Sequence, residues 1–113
     1  MPVLAQAFFA LQLAAAGETP ALCPGPSTAA VAASLAPQPR HRFDGAALAT
    51  FDRLWTTAQR PPFAVAPDAV VAVPTSAALV TLIFSRKECA LGVLVVGRSE
   101  LLRALRADLG PTI

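Results

Sequence analysis

The sequence predicts a small α+β domain with an antiparallel β-hairpin at its centre, in the element order α-β-β-β-α. Three patterns predict this fold: two short apolar runs, a charged turn between them, and an amphipathic helix on either side of the strands. The apolar runs are residues 78–84 and 89–96, and residues 85–88 connect them. Short runs of this composition around a polar connection are typical of a hairpin.

Side chains alternate across a strand, so the turn determines which residues share a face. A symmetric turn predicts three cross-strand pairs, which are Phe84 with Cys89, Leu82 with Leu91, and Val80 with Val93. Both faces of this hairpin are apolar, so both need cover. We expect the two helices to cover one face and a partner to meet the other. The predicted partner-facing surface consists of five residues: Val80, Leu82, Phe84, Leu91 and Val93. Gly92 leaves a shallow place on the opposite face where a helix can approach closely.

The elements around the hairpin have recognisable ends. Asp44 is a predicted N-cap for a helix over residues 45–59, which two prolines stop. A third strand over residues 68–73 meets a proline at residue 74, so we expect it to lie at an edge of the sheet or to stop there. After the hairpin, Ser99 is a predicted N-cap for a helix that ends at Leu109.

The N-terminal part of the chain differs in composition from the rest. Residues 3–16 are apolar apart from two glutamines, too short a run to span a membrane but as long as the apolar core of a signal peptide. Residues 14–16 are alanines and match a signal-cleavage site, although no Lys or Arg precedes the run. We therefore divide the chain into a signal-like helix over 1–17 and two further parts. The alternative for 1–17 is a buried or loosely ordered helix.

The other two parts are a Pro/Ala-rich linker or arm over 18–42 and the α+β domain over 43–113. Prolines at this density favour extended chain, although a short helix capped by Ser27 is an alternative within the arm. Residues 40–42, Arg-His-Arg, form a small basic cluster before the domain. We interpret that cluster as a solvated entry to the domain, with an anion or partner contact as the alternative.

The sequence contains two cysteines, Cys23 and Cys89. In an exported chain, a disulfide between them would link the arm to the hairpin, and closing so long a loop is worth about 4 kcal/mol in the chain-entropy model. In a cytosolic chain, Cys89 is better explained as a small apolar residue packed by Phe84.

Candidate chemistry is sparse. The segment 97–101 places a serine at a strand-to-helix turn but lacks the second glycine of a nucleophile elbow. Arg98 and Ser99, at the start of the last helix, are a candidate anion contact. We predict no catalytic, cofactor-binding or metal-binding residues, and therefore no enzyme. A net charge of +2 is too small to indicate a nucleic-acid partner.

These observations predict a small exported bacterial protein, periplasmic or secreted, that acts as a non-catalytic binding or structural module. Its expected partner is another protein or a second copy of the chain, with no integral membrane span. The alternative is a cytoplasmic accessory subunit that docks on a larger protein through its apolar N-terminal helix or its hairpin face.

Overall fold

The computed structural model describes residues 23–35 and 40–110. Within those ranges the chain forms three α-helices, one 3-10 turn and a four-stranded sheet. In chain order the elements are α1 (Thr28–Leu35), β1 (His41–Phe43), the 3-10 turn (Gly45–Ala47), α2 (Leu48–Thr57), β2 (Ala69–Pro74), β3 (Leu79–Arg86), β4 (Cys89–Gly97) and α3 (Arg98–Leu109). The predicted signal-like segment 1–17 lies outside the described residues.

The sheet is an antiparallel meander in the order β1-β2-β3-β4. The predicted α+β fold, with its α-β-β-β-α order and central hairpin, is confirmed. β1 was not predicted: its three residues, His41 to Phe43, pair with Ala72 to Val70 and place β2 inside the sheet. A strand this short, with two polar residues among three, has too little alternation to be detected in a sequence.

The predicted hairpin register is wrong. The turn is Lys87-Glu88 alone, with φ of 50° and 66°, so the strands continue to the pair Arg86 and Cys89. The register then shifts between Ser85 and Phe84, and Leu91 is the extra residue of a β-bulge. The pairs that replace the predicted ones are Phe84 with Gly92, Leu82 with Leu94, and Val80 with Val96.

One face of the sheet packs against α2 and α3. Its buried core contains residues from three strands, β2 to β4, and from both of these helices: Phe51, Trp55, Val70, Ala72, Val80, Leu82, Phe84, Leu94, Val96, Leu101 and Leu105. Val80, Leu82 and Phe84 are at most 5% exposed there, so the prediction that they face a partner is wrong. The bulge and the short turn also move Val93 to the opposite face, where it packs in a second cluster.

The opposite face packs against α1. Ala32 of this helix is buried with Val71, Val73 and Ile83 of the sheet. The segment expected to be a linker therefore supplies a layer of the fold, and the folded unit begins at Cys23 in the described residues, not at Phe43. α1 matches the short-helix alternative for the arm.

Both predicted helix caps differ in detail from the structure. Asp44 precedes the 3-10 turn rather than an α-helix, and its side chain makes no capping hydrogen bond. Gly97, not Ser99, is the N-cap of α3, because β4 runs directly into the helix.

Candidate functional site

The structure brings the two cysteines together as a disulfide. Cys23 and Cys89 have Cα atoms 5.4 Å apart and are separated by 66 positions in the sequence. The backbone beside the bond is also paired: the amide of Thr28 donates to the carbonyl of Glu88 at 2.8 Å, and that of Ala90 donates to Pro26 at 3.2 Å. The arm is therefore paired with the start of β4, held there by a covalent link and by backbone hydrogen bonds.

The same contact contains a buried polar pair. The hydroxyls of Thr28 and Ser85 lie 2.7 Å apart, and both residues are almost completely buried. Buried hydroxyl groups require a hydrogen-bond partner within the protein, because water does not reach them. The hydrogen bond fixes the start of α1 to β3.

Arg98 and Ser99, the predicted anion contact, point to different cavities. Ser99 borders a shallow cavity together with Arg103 and Arg106 of α3. Arg98 instead borders a second cavity, and Leu102 lines both of them. The two residues are therefore adjacent in the sequence but do not converge on one ligand position.

We define the β1–α3 groove as the cavity of about 510 Å³ between the first three strands and α3. Its lining residues are Arg40, His41, Phe43, Ala72, Pro74, Val80, Arg98, Leu101, Leu102 and Leu105. Aliphatic and aromatic groups supply most of this lining, as they do in ligand-binding clefts. The sheet residues follow from the register, since His41 pairs with Ala72 and Pro74 with Val80, and both pairs lie on the helix-covered face.

The charged residues that line the groove carry one sign of charge. They are Arg40 and Arg98; His41 also lines the groove, and no acidic residue among the described ones does. Salt bridges in the described part of the chain join Arg42 to Glu88 and Arg53 to Asp108, so neither groove arginine is in one. The sequence predicted that the 40–42 cluster is solvated. Nothing in the sequence indicates that Arg40 and His41 line the same groove as Arg98.

An aromatic cluster fills the space between α2 and the hairpin. The Trp55 and Phe63 rings stack with centroids 4.2 Å apart, and Phe84 packs against both. The indole N–H of Trp55 donates to the carbonyl of Pro61 at 2.8 Å, and the Arg60 guanidinium lies over the indole ring. With its N–H satisfied and its faces covered, Trp55 is a core residue rather than a ligand platform.

A second polar cluster joins α2 to α3. The Thr50 hydroxyl donates to a carboxylate oxygen of Asp108 at 2.5 Å, and the Arg53 guanidinium pairs with the same oxygen. The Thr50 hydrogen bond lowers the pKa of Asp108 below its ordinary value of 3.8, and Arg53 adds to the lowering, while desolvation acts in the opposite direction. The cluster connects two helices and borders none of the cavities described above.

The residues considered for catalysis are separated. His41 lines the β1–α3 groove, Ser99 borders the other cavity, and the Cys89 sulfur is bonded to Cys23. In residues 23–35 and 40–110, no group of three or more His, Cys, Asp or Glu side chains is placed to hold a metal ion.

Comparisons with protein-family models, with curated proteins and with solved structures found no match to this chain. Over the described residues, none of the helices combines the length and apolar character needed to cross a membrane.

Proposed function

We propose that this chain is a small exported bacterial protein, periplasmic or secreted, that serves as a non-catalytic binding module. The observation that carries the proposal is the Cys23–Cys89 pair at disulfide geometry. Disulfides persist in oxidising compartments and are rare in the cytosol, where thiols are kept reduced. The apolar run at residues 3–16, with alanines at 14–16, supports the same compartment.

The size of the domain explains why a covalent link is useful. A folded unit of this length buries little apolar surface, and domains of this class often depend on disulfides. Here the bond holds α1 over Val71, Val73 and Ile83, which would otherwise form an uncovered apolar face. The disulfide thus holds α1 in place, and α1 is the covering layer that the hairpin and the last two helices do not supply.

Export is tested by the N-terminus of the protein isolated from its native host. Intact-mass measurement is expected to show loss of a segment that ends near residues 14–16. A protein that retains Met1 and carries two free thiols would contradict export and favour the cytoplasmic accessory subunit.

The open edge of the sheet is the surface on which we expect a protein partner or a second copy. β4 is an edge strand, and Val95 on it is 55% exposed, with Leu79 of β3 44% exposed on the same face. Residues 93–96 carry no charge, but the Arg60 guanidinium donates to the carbonyl of Val93 at 2.9 Å. The part of the edge that lacks a charged group is therefore the stretch after Val93, around Val95, where strand addition is not prevented.

Sedimentation across a concentration range tests the second-copy version of this proposal. We expect reversible association that Val95→Lys weakens. Val65→Lys should leave it unchanged, because Val65 is similarly exposed, at 49%, but lies in the loop before β2. A monomer at high micromolar concentration would contradict self-association.

A further inference from the structure

We propose that the β1–α3 groove binds the anion of a medium-chain fatty acid, with the hydrocarbon tail along α3 and the carboxylate between Arg40 and Arg98. This inference deepens the proposed function, because it names the ligand class that a non-catalytic module would bind. It commits to a free fatty carboxylate rather than to a peptide or a lipid surface.

The shape and lining of the groove suit an aliphatic tail. Its volume of about 510 Å³ lies inside the range of small-molecule sites, about 300–1,000 Å³. One wall is a row of leucines on α3, at positions 101, 102 and 105, and the floor is Ala72, Pro74 and Val80. None of these side chains offers a hydrogen bond, so a polar ligand would lose its hydration without compensation.

The charge of the lining suits an anionic head. Arg40 precedes β1, and Arg98 is the first residue of α3, so the two approach the groove from separate elements. Among the described residues neither side chain has a hydrogen-bond or salt-bridge partner, and the His41 ring that lies beside them packs on Phe43. A guanidinium matches a carboxylate through two parallel N–H donors, which a single ammonium cannot do.

The contrast with the neighbouring cavity supports this assignment. The cavity at Ser99, Arg103 and Arg106 also carries cations, but Leu102 is the one apolar side chain that lines it. The β1–α3 groove combines uncompensated cations with a continuous apolar lining, and an amphipathic anion needs both.

Titration calorimetry with decanoate, below the concentration at which it aggregates, tests the proposal on the full chain. We expect saturable binding of one decanoate per chain, with each methylene removed from the tail weakening binding about fourfold. Decanol has the tail without the charge, and decyltrimethylammonium inverts the charge; both are expected to bind at least about tenfold more weakly. Equal binding of decanoate and decyltrimethylammonium would overturn the proposal.

Charge-reversal variants locate the site. Arg40→Glu and Arg98→Glu are each expected to weaken decanoate binding about tenfold or more. Arg103→Glu is the matched control, since it makes the same change on α3 outside the groove, and it should alter the affinity less than about twofold. Unchanged affinity in both groove variants, with urea midpoints that show them folded, would overturn the proposal.

Two further measurements keep the test independent of folding and of export. Leu102→Trp fills the groove and is expected to abolish decanoate binding.

In the unmodified chain, amide chemical-shift changes on adding decanoate should concentrate at residues 40–43, 72–74 and 98–105. Changes centred elsewhere would contradict the site. A protein with an intact N-terminus that binds decanoate refutes export alone, whereas a processed protein that does not bind it refutes the groove alone.

Discussion

Among the glycines in the described part of the chain, Gly92 has the closest neighbours. A Cβ atom at this position would lie 2.7 Å from Cη2 of Trp55 and 3.1 Å from Cε1 of Phe63. The sequence predicted a close approach by a helix at Gly92, and Trp55 of α2 makes that approach. It did not predict that Phe84 would be its cross-strand neighbour, because the bulge at Leu91 shifts the pairing.

Gly92→Ala is therefore expected to destabilise the protein by about 1–3 kcal/mol, since the two rings must move within a packed core. Gly25→Ala is the matched control, because nothing lies within 4 Å of its added Cβ, and it should change stability by less than about 0.5 kcal/mol. Urea unfolding followed by tryptophan fluorescence measures both. Equal stability of the two variants would show that Trp55 does not pack over Gly92.

The Thr28–Ser85 pair gives a second residue-scale prediction. Thr28→Val keeps the shape of the side chain but leaves the buried Ser85 hydroxyl without its partner, so we expect a loss of about 1–3 kcal/mol. Adding Ser85→Ala removes the orphaned group, and the double variant should be less destabilised than the sum of the two single variants. Thr56→Val, at an exposed position on α2, is the control. Additive losses in urea unfolding would contradict the hydrogen bond.

The Asp108 cluster predicts how stability depends on pH. Its lowered pKa means that the ionised carboxylate is favoured in the folded state, so the cluster contributes stability above about pH 4. That contribution is lost as the pH falls through the lowered folded-state pKa. Urea midpoints between pH 6 and pH 2 should therefore fall less steeply in Asp108→Asn than in the unmodified chain. The control is Asp52→Asn, which removes an exposed carboxylate on α2 outside the cluster and should leave the slope unchanged. Identical slopes in all three proteins would contradict the cluster.

At the scale of elements, the sequence predicted the hairpin, the third strand and both flanking helices because each has a continuous apolar pattern. It failed at the turn. Lys87 and Glu88 both adopt positive φ without the Asn-Gly or Asp-Gly signal that normally marks such a turn. A two-residue turn and one bulge were enough to change every cross-strand pair, and with them the predicted outward surface.

The arm is the element whose role changed most. Its prolines predicted a linker, and α1 has little amphipathic pattern of its own, so only tertiary contacts show that Ala32 is buried. The disulfide beside it is expected to supply about 4 kcal/mol, because it closes a loop of 66 positions in the unfolded chain.

Replacing Cys23 and Cys89 by serine should thus lower the free energy of unfolding by about 2–5 kcal/mol. Urea unfolding with and without a reductant measures this effect. The reductant should destabilise the unmodified chain by a similar amount and leave the double variant unchanged. A reductant effect of the same size in both proteins would contradict a stabilising role for the bond.

At the scale of the whole molecule, the sheet is covered on one face by α2 and α3 and on the other by α1. Apolar patterning predicted that both faces need cover and which class of fold provides it. The β1–α3 groove could not be predicted in this way, since its cations come from positions 40 and 98 and its apolar lining from four elements, β1, β2, β3 and α3. A property that exists only after the chain has folded leaves no local pattern in the sequence.

The central claim is that an oxidised Cys23–Cys89 bond holds the arm on the sheet in the protein's own compartment. A tryptic digest of native-host protein, alkylated and kept non-reduced, tests it by mass spectrometry. We predict that the peptide spanning residues 88–98 is linked to the peptide that ends at Arg40. Recovery of both peptides unlinked, each with an alkylated cysteine, would contradict the claim.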